Sequence, residues 1–428
     1  MHFRAVKGMN DILPGDVERW QRLEAAFQRT VALHAYSELR TPLVEPTELF
    51  VRSIGESTDV VEKEMYTFEH HGDRLTLRPE GTAGAARAYV EHGMHTREPV
   101  SRLYYLGPMF RAERPQRGRY RQFWQGGCEI FGDPGPACDA ELIDMLLGLF
   151  RALGIVDLEV CLSSIGGAHT RERYRDALRA FLQPRADQLG EHSQRRLETN
   201  PLRILDSKDP RDRAAVAGAP SIMDLLSDDD RAHFDGLRSA LDALGVSYRV
   251  DAGLVRGLDY YTRTLFEIRS GAGELGAQNT LAGGGRYDGM IQSLGGPSVP
   301  AIGFAMGIER LLLAMPKSEQ APDPLCFVAP LGRRATEDGL LLGRELRRQG
   351  VRVELDGRGA SMRSMLRRAD SLGARACVVI GESELARGVV QVKDLAAHSQ
   401  VEAPRGEAAA RVAAVFRTPA PPSAGGHP

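Results

Sequence analysis

Five arginines crowd the stretch from Arg111 to Arg121 against a single acid, Glu113, a net charge of +4 within a few turns of chain. Guanidinium groups at that density repel one another unless an anion sits among them or solvent screens them. A solvated charged loop is the plain alternative. The residues that follow decide which reading is worth pursuing. At a strand period of two, Arg121, Phe123, Gln125, Gly127 and Glu129 share one face, and on the preceding strand Gly107, Met109 and Arg111 do the same. A core face does not carry Arg, Gln and Glu around a glycine unless it lines a pocket for a polar ligand, or else lies half exposed. The chemistry such a pocket offers is clamping of an anion by arginine beside a carboxylate that reads a donor.

Three further segments have the same polar, glycine-punctuated character. Leu254–Glu267 contains Arg256, Tyr260 and Tyr261, and Ala282–Asp288 contains three consecutive glycines before Arg286. A glycine run marks a close approach of ligand or backbone, or simply a flexible turn. In Gly303–Arg310 a strand leads into a helix whose first turn holds Arg310, a position suited to phosphate, although surface arginines are common there. Glu80, Gly81 and Thr82 could equally cap a helix or hold a ligand. No glycine fingerprint of the P-loop or Rossmann type is in place, so any nucleotide must be held by arginines on an antiparallel scaffold.

The elements that must position these residues follow from periodicity. Asp16 is a candidate N-cap, and Trp20, Leu23, Phe27 and Val31 recur at helical spacing, predicting a first helix to about Tyr36. A second helix is expected from about Asp139 to Leu153, stopped by Gly154. Leu103–Arg111 and Arg121–Phe131 read as two antiparallel strands joined by the arginine loop. Residues 169–243 read as a mainly helical insertion between strands at Leu158–Leu162 and Tyr248–Asp251. Strands return at Thr262–Ile268, Thr280–Gly285 and Ala301–Met306. A boundary falls near Met315–Pro324. Beyond it strands and helices alternate through Leu325–Leu331, Val351–Leu355 and Ala376–Gly381, the order of a small α/β domain with a mainly parallel sheet. The Pro- and Gly-rich residues 418–428 are expected to be a disordered tail.

A chain of 428 residues implies two or three domains. Only five lysines appear, so the positive charge is almost all arginine, as phosphate binding favours and as base composition alone also produces. No apolar run reaches the ~20 residues that span a bilayer, and Met1–Pro14 lacks the apolar stretch of a signal peptide. The five cysteines form no CxxC pair, which excludes a zinc or disulfide framework in favour of small buried side chains. Together these features point to a cytoplasmic protein with no membrane segment and no tightly bound metal.

Taken in order, the segments resemble the class II aminoacyl-tRNA synthetases, and within them the histidine-specific family. Lys7–Pro14 is similar to that family's N-terminal segment, and Tyr36–Phe68, with Arg40, Thr41 and Pro42, to the first class motif. The arginine hairpin resembles the second motif and Gly303–Arg310 the third, while Leu254–Phe266 and Leu281–Tyr287 resemble the two histidine-specific segments. Residues 324–417, with Gly359–Asp370 among them, resemble the family's anticodon-binding domain, and Leu331–Ala376 holds eleven arginines against six acids. The resemblance implies an α+β catalytic domain, residues 1–320, on a mixed, mainly antiparallel sheet. It implies ligation of L-histidine to tRNA(His) through a histidyl-adenylate, with ATP and its Mg2+ as substrate and a homodimer as the working form. Arg111 and Arg256 would act at the α-phosphate. Arg111, Glu113, Arg119, Phe123 and Arg310 would hold ATP. Glu80, Gly81, Thr82, Arg111, Gln125, Glu129, Arg256, Tyr260 and Tyr261 would hold histidine, with Glu129, Tyr260 and Tyr261 reading its imidazole. Trp124 departs from the more usual histidine or tyrosine and should affect packing more than chemistry. The rival is a catalytically inactive, histidine-binding regulatory subunit of ATP phosphoribosyltransferase. That relative typically lacks the anticodon-binding domain and several ATP-binding arginines that this chain keeps.

Overall fold

The computed structural model describes residues 3–417 apart from 57, 206, 208, 255–257, 273–274, 276–278 and 318–323. The expected disordered tail, 418–428, and part of the expected boundary lie outside the described residues. Two compact units are formed, Met1–Lys317 and Ser318–Pro428.

The first unit is built on an eight-stranded sheet. Its strands run in the order Ser37–Glu38, Ser101–Phe110, Gln122–Phe131, Ala301–Gly307, Thr280–Arg286, Thr262–Ser270, Leu158–Ser164, Arg249–Val250. The five inner pairings are antiparallel and the two outermost parallel, so the sheet is mixed and mainly antiparallel, as expected. Strand alternation sends Cys128 and Ile130 to one face, where the helices Val17–Leu33 and Pro136–Ala152 bury Trp20, Leu23, Phe27, Leu142 and Leu146 against them. The opposite face, carrying Gln125 and Glu129, is left for the site. One face is core and the other is chemistry.

The first helix ends at Leu33 and not near Tyr36. Asp16 precedes it in helical conformation and its side chain caps nothing. Glu18 accepts the Gly15 N–H instead, at 2.8 Å. Trp124 points to the core face and meets Trp20 edge-on, with ring centroids 5.9 Å apart, which is the packing role expected of it.

The insertion is helical, yet it divides in two. Ala168–Leu182, Glu191–Thr199 and Pro210–Ala215 share a small core of Leu178, Leu182, Leu197 and Ile204. The last helix, Asp228–Ala243, instead packs Phe234, Leu237 and Leu241 into the main core. Asp230 on that helix clasps the insertion's start, accepting from Thr170 Oγ1 at 2.6 Å, the Gly167 N–H at 2.9 Å and Arg263 Nε at 3.1 Å.

In the second unit the sheet order is Arg352–Leu355, Leu325–Pro330, Ala374–Ile380, Val389–Asp394, Ser399–Pro404. The first three strands are parallel, as the alternating pattern predicts. Two antiparallel strands, absent from the sequence reading, extend them and make the sheet mixed. The alternation in Val389–Asp394, with Val390 and Val392 buried, is the signal that was there to be read.

Arg286, which belonged to the glycine-rich constellation, has a structural role. It is fully buried, with Nη2 2.6 Å and Nε 3.1 Å from the two Asp139 oxygens, and it also donates to the Asp133 and Gly135 carbonyls. Asp139 accepts besides from Thr264 at 2.6 Å and lies 3.0 Å from His233 Nε2. Removing one member of a buried pair leaves the other uncompensated. Asp139→Ala should therefore cost about 3–5 kcal/mol of stability, read as a lowered urea midpoint of the catalytic unit's transition. Arg286→Met together with Asp139→Leu should lose far less.

Candidate active site

A cavity of about 300 Å³ opens on the polar face of the sheet, within the range of small-ligand sites. At one end stand Arg111, Glu113, Arg119, Phe123 and Arg310, and at the other Glu80, Thr82, Gln125, Tyr260 and Tyr261. These residues come from four separate stretches of chain, and the sheet brings them together. Arg256 lies outside the described residues, so the second guanidinium expected at the reacting phosphate is not placed.

The arginine end is held from behind. Arg111 Nε donates to the Pro79 carbonyl at 2.9 Å, and its guanidinium lies 5.5 Å from the Phe123 ring centroid. Arg310 donates from Nε to the Gly118 carbonyl at 3.2 Å and from Nη1 to the Thr280 carbonyl at 3.0 Å, which ties the hairpin tip to the strand opposite. Glu113 pairs with Arg119, the one acid of the loop answering one of its arginines. Backbone bonds of 3.0 and 2.9 Å between Gln116 and Arg119 close the tip, where Gly118 takes φ +72. Carbonyl tethers of this kind fix a guanidinium in place without neutralising it. Arg121, expected on the same face, turns away and donates to the carbonyls of Glu113 and Lys7. It stands one residue before the strand and reaches the N-terminal segment, beyond the alternation that placed it in the pocket.

The other end is acidic and hydroxylated. Glu80 is buried, accepts the Ala83 N–H at 3.0 Å and takes the Tyr260 hydroxyl at 3.0 Å. Capping and ligand binding were alternatives in the sequence; Glu80 caps the Thr82–Glu91 helix while facing the cavity. Burial raises its carboxyl, against the Ala83 bond, the Arg111 charge and the Tyr260 hydroxyl. Gln125 Oε1 is buried and accepts no hydrogen bond among the described residues. Gly81 does not line the cavity, because the Tyr105 ring covers the space a side chain there would need.

Glu129 is fully buried and does not itself line the cavity; it forms the layer beneath the floor. Its oxygens accept from Thr82 at 2.7 Å, from Tyr105 at 3.2 Å and from Tyr287 in a short bond. The Tyr260 hydroxyl is given to Glu80 and not to Glu129. The space over Gly127 is filled by Tyr105 and not by a ligand, and a side chain at Gly303 would collide with Glu129. Tyr105 and Tyr287 are the residues that sequence reasoning missed. Tyr105 lies two residues before Gly107, on the very face already singled out, so the period of two could have found it. Tyr287 closes the glycine segment but was given no task.

Burial pushes the Glu129 carboxyl up to about 8, against the pull of the Tyr287, Thr82 and Tyr105 hydroxyls and with added repulsion from Glu80. Burial also holds the Tyr105, Tyr260 and Tyr287 phenols far above their usual range, so they remain donors. Glu309, beside Arg310, is raised to about 7 by burial. Among the described residues no group of three or more His, Cys, Asp or Glu stands together to hold a metal ion.

Comparison with known proteins gives this arrangement its place. The fold is that of the class II aminoacyl-tRNA synthetases: a structure of the apo histidyl-tRNA synthetase of S. aureus matches with a TM-score of 0.82 and 34% identity, covering 96% of this chain and 99% of that one. A Bacillus halodurans structure titled as an ATP phosphoribosyltransferase regulatory subunit/histidyl-tRNA synthetase matches with a TM-score of 0.65 at 22% identity, a likeness of fold alone. The family model described as histidyl-tRNA synthetase matches residues 8–311, and one described as an anticodon binding domain matches residues 325–414. A histidine–tRNA ligase of Sorangium cellulosum is 64% identical over 422 residues, 99% of this chain and 98% of that protein. Another, from Thermosynechococcus vestitus, is 49% identical over 411 residues. The chain belongs to the histidyl-tRNA synthetase family.

A carboxyl raised from about 4.5 to about 8 keeps its proton in the folded state after the unfolded chain has released it. Its burden on stability is therefore absent below the lower value, grows as pH rises between the two and is complete above the upper one. Glu129→Gln should gain stability relative to the native chain across that window, read as a thermal midpoint difference that widens from pH 5 to pH 8. A constant difference would contradict the assignment.

Proposed function

We propose that this chain joins L-histidine to ATP as histidyl-adenylate and passes the histidyl group to tRNA(His). The observation that carries the reading is the single cavity in which arginines held by backbone carbonyls face a carboxylate and hydroxyl floor. Histidine and ATP would lie in it end to end. The histidine carboxylate attacks the α-phosphorus of ATP, the bond to the bridging oxygen breaks, and pyrophosphate leaves. That carboxylate is already ionised at neutral pH, so the step needs no general base. It needs in-line placement and compensation of charge on the phosphate, which Arg111 and Arg256 would supply. Phe123 would stack on adenine, Glu113 would meet its amino group, and Arg119 and Arg310 would hold the β- and γ-phosphates. Magnesium would enter as the nucleotide's own counter-ion. In the second step a terminal ribose hydroxyl of the tRNA attacks the activated carbonyl and AMP leaves.

Glu80, Thr82 and the unpartnered Gln125 Oε1 would take the histidine ammonium, and Tyr260, Tyr261 and the Glu129 network would read the imidazole. A ring with one N–H and one acceptor nitrogen satisfies such a floor, whereas other side chains leave its groups unpaired. Discrimination of roughly 10⁴ is reachable that way without editing. Residues 1–320 would be the catalytic domain and 324–417 the anticodon reader. The segment resembling the first class motif exposes Leu43, Val44 and Phe68, which a second copy would cover. All five cysteines are buried and unpaired, in keeping with a reducing cytoplasm, and no described helix is long and apolar enough to cross a membrane. The regulatory-subunit reading is not favoured: Arg111, Arg119 and Arg310 all line the cavity, and the family's anticodon-binding domain is present.

Amino-acid-dependent exchange of pyrophosphate into ATP tests the reading. Exchange with histidine alone among the twenty amino acids is expected. Arg111→Ala should slow it by about 10²–10³, roughly 3 kcal/mol of transition-state stabilisation. Histidine binding with no exchange would favour the regulator.

A further inference from the structure

The strand Gln122–Phe131 carries two residues of the cavity, Phe123 and Gln125, and they are not equally supported. On one side the strand pairs with Ser101–Phe110 along its whole length, Met109 opposite Phe123 and Gly107 opposite Gln125. On the other side its pairing with Ala301–Gly307 stops at Gln125, opposite Gly307. Gln125 is thus held by a ladder on both sides and Phe123 by one alone. The backbone N–H of Trp124, between them, falls just past the end of the shorter ladder. It is not left open. The Glu309 carboxylate takes it with both oxygens, at 3.0 and 3.1 Å.

Glu309 lies two residues beyond Gly307, where the chain has left the sheet for the short helix Ile308–Ala314. Its carboxylate does for the ladder what the next strand residue would have done. Its neighbour in sequence is Arg310, whose Nε and Nη1 reach the Gly118 and Thr280 carbonyls. One turn of chain therefore fixes two things at once: the guanidinium at the far end of the cavity and the strand segment that presents the Phe123 ring. On the strand's other face the Trp124 ring stands against Trp20. These are the only two tryptophans of the protein.

We infer that Glu309 is a positioning residue for the nucleotide: by accepting the Trp124 N–H it locks the Phe123 ring and Arg310 into one frame, without touching the amino-acid half. The inference rests on the reading of Phe123 and Arg310 as ATP-binding groups. The asymmetry of the ladder sets its consequence. Loss of the carboxylate frees the singly supported Phe123 and the adjoining Arg310, while Gln125, paired on both sides, stays in place. Nucleotide affinity should fall and histidine affinity should not.

The test is calorimetric titration of the full chain with ATP and, separately, with histidine, for the native protein, Glu309→Ala and Glu309→Gln. Tryptophan emission of each, without ligand, reports the Trp20–Trp124 contact directly. For Glu309→Ala the ATP Kd should rise about ten- to hundredfold, the scale of one lost hydrogen bond to a charged group. The histidine Kd should stay within about twofold, since no hydrogen bond to that ligand is lost. Emission should shift as the Trp124 segment loosens. Glu309→Gln keeps a carbonyl acceptor and should recover most of the ATP affinity. An unchanged ATP Kd in Glu309→Ala, or an equal loss for both ligands, overturns the inference. If Glu309→Ala does not fold, Glu309→Gln decides: near-native ATP affinity supports the role, and loss of ATP affinity with histidine affinity retained overturns it, since the acceptor is still present. Failure of pyrophosphate exchange with both ligands bound would sink the proposed activity and leave this assignment standing.

Discussion

A carboxylate buried under the floor of a cavity constrains everything around it. Glu129 is fully buried at the centre of the sheet, and moving an ionised carboxylate out of water costs several kcal/mol unless hydrogen bonds replace the lost solvation. Three hydroxyls offset part of that cost, and they come from three places: Thr82 at a helix start, Tyr105 on the neighbouring strand and Tyr287 past the glycine run. Each phenol needs room. The Tyr105 ring lies over Gly81 and Gly127, and Glu129 itself occupies the space beside Gly303. The glycines of these segments are thus places where side chains are excluded so that a polar layer can close. That layer sets the shape of the acidic end of the cavity, and its raised carboxyl makes the end sensitive to pH.

The arginine end obeys a different rule. Guanidiniums in a cluster must be fixed without being cancelled, and backbone carbonyls meet that requirement. Arg111 is held by Pro79, and Arg310 by Gly118 and Thr280. Arg119 is answered by an acid, Glu113. The arrangement is set before a phosphate arrives, so little reorganisation remains for the ligand to bring about. A fully paired ion network would look similar in sequence and would bind nothing, as Arg286 illustrates. It carries the same side chain in an equally glycine-rich setting, yet with Asp139 against it and no exposure it serves the core.

Much of this was legible in the sequence because a single physical signal, alternation along a strand, sorts core from site. It placed Phe123, Gln125 and Glu129 on one face, and that face carries the cavity and its floor. It failed where strands end. Arg121 stands one residue before its strand and turns to the N-terminal segment, and the last two strands of the second unit are short and half polar. Partnerships across segments were out of reach, because nothing in the order of residues says that Tyr260 meets Glu80 while Tyr287 meets Glu129. The insertion shows the same limit: its last helix has the composition of its neighbours, but its apolar stripe packs into the main core.

In the proposed function, amino acid and nucleotide share one continuous cavity with Arg111 between them. A non-hydrolysable histidyl-adenylate analogue, with a sulfamate in place of the phosphate anhydride, tests it by competition. One molecule of analogue per chain should displace both labelled histidine and labelled ATP, and Arg111→Ala should weaken it against both. Displacement of only one ligand, or simultaneous binding of the analogue with either, would show that histidine and ATP do not share this cavity.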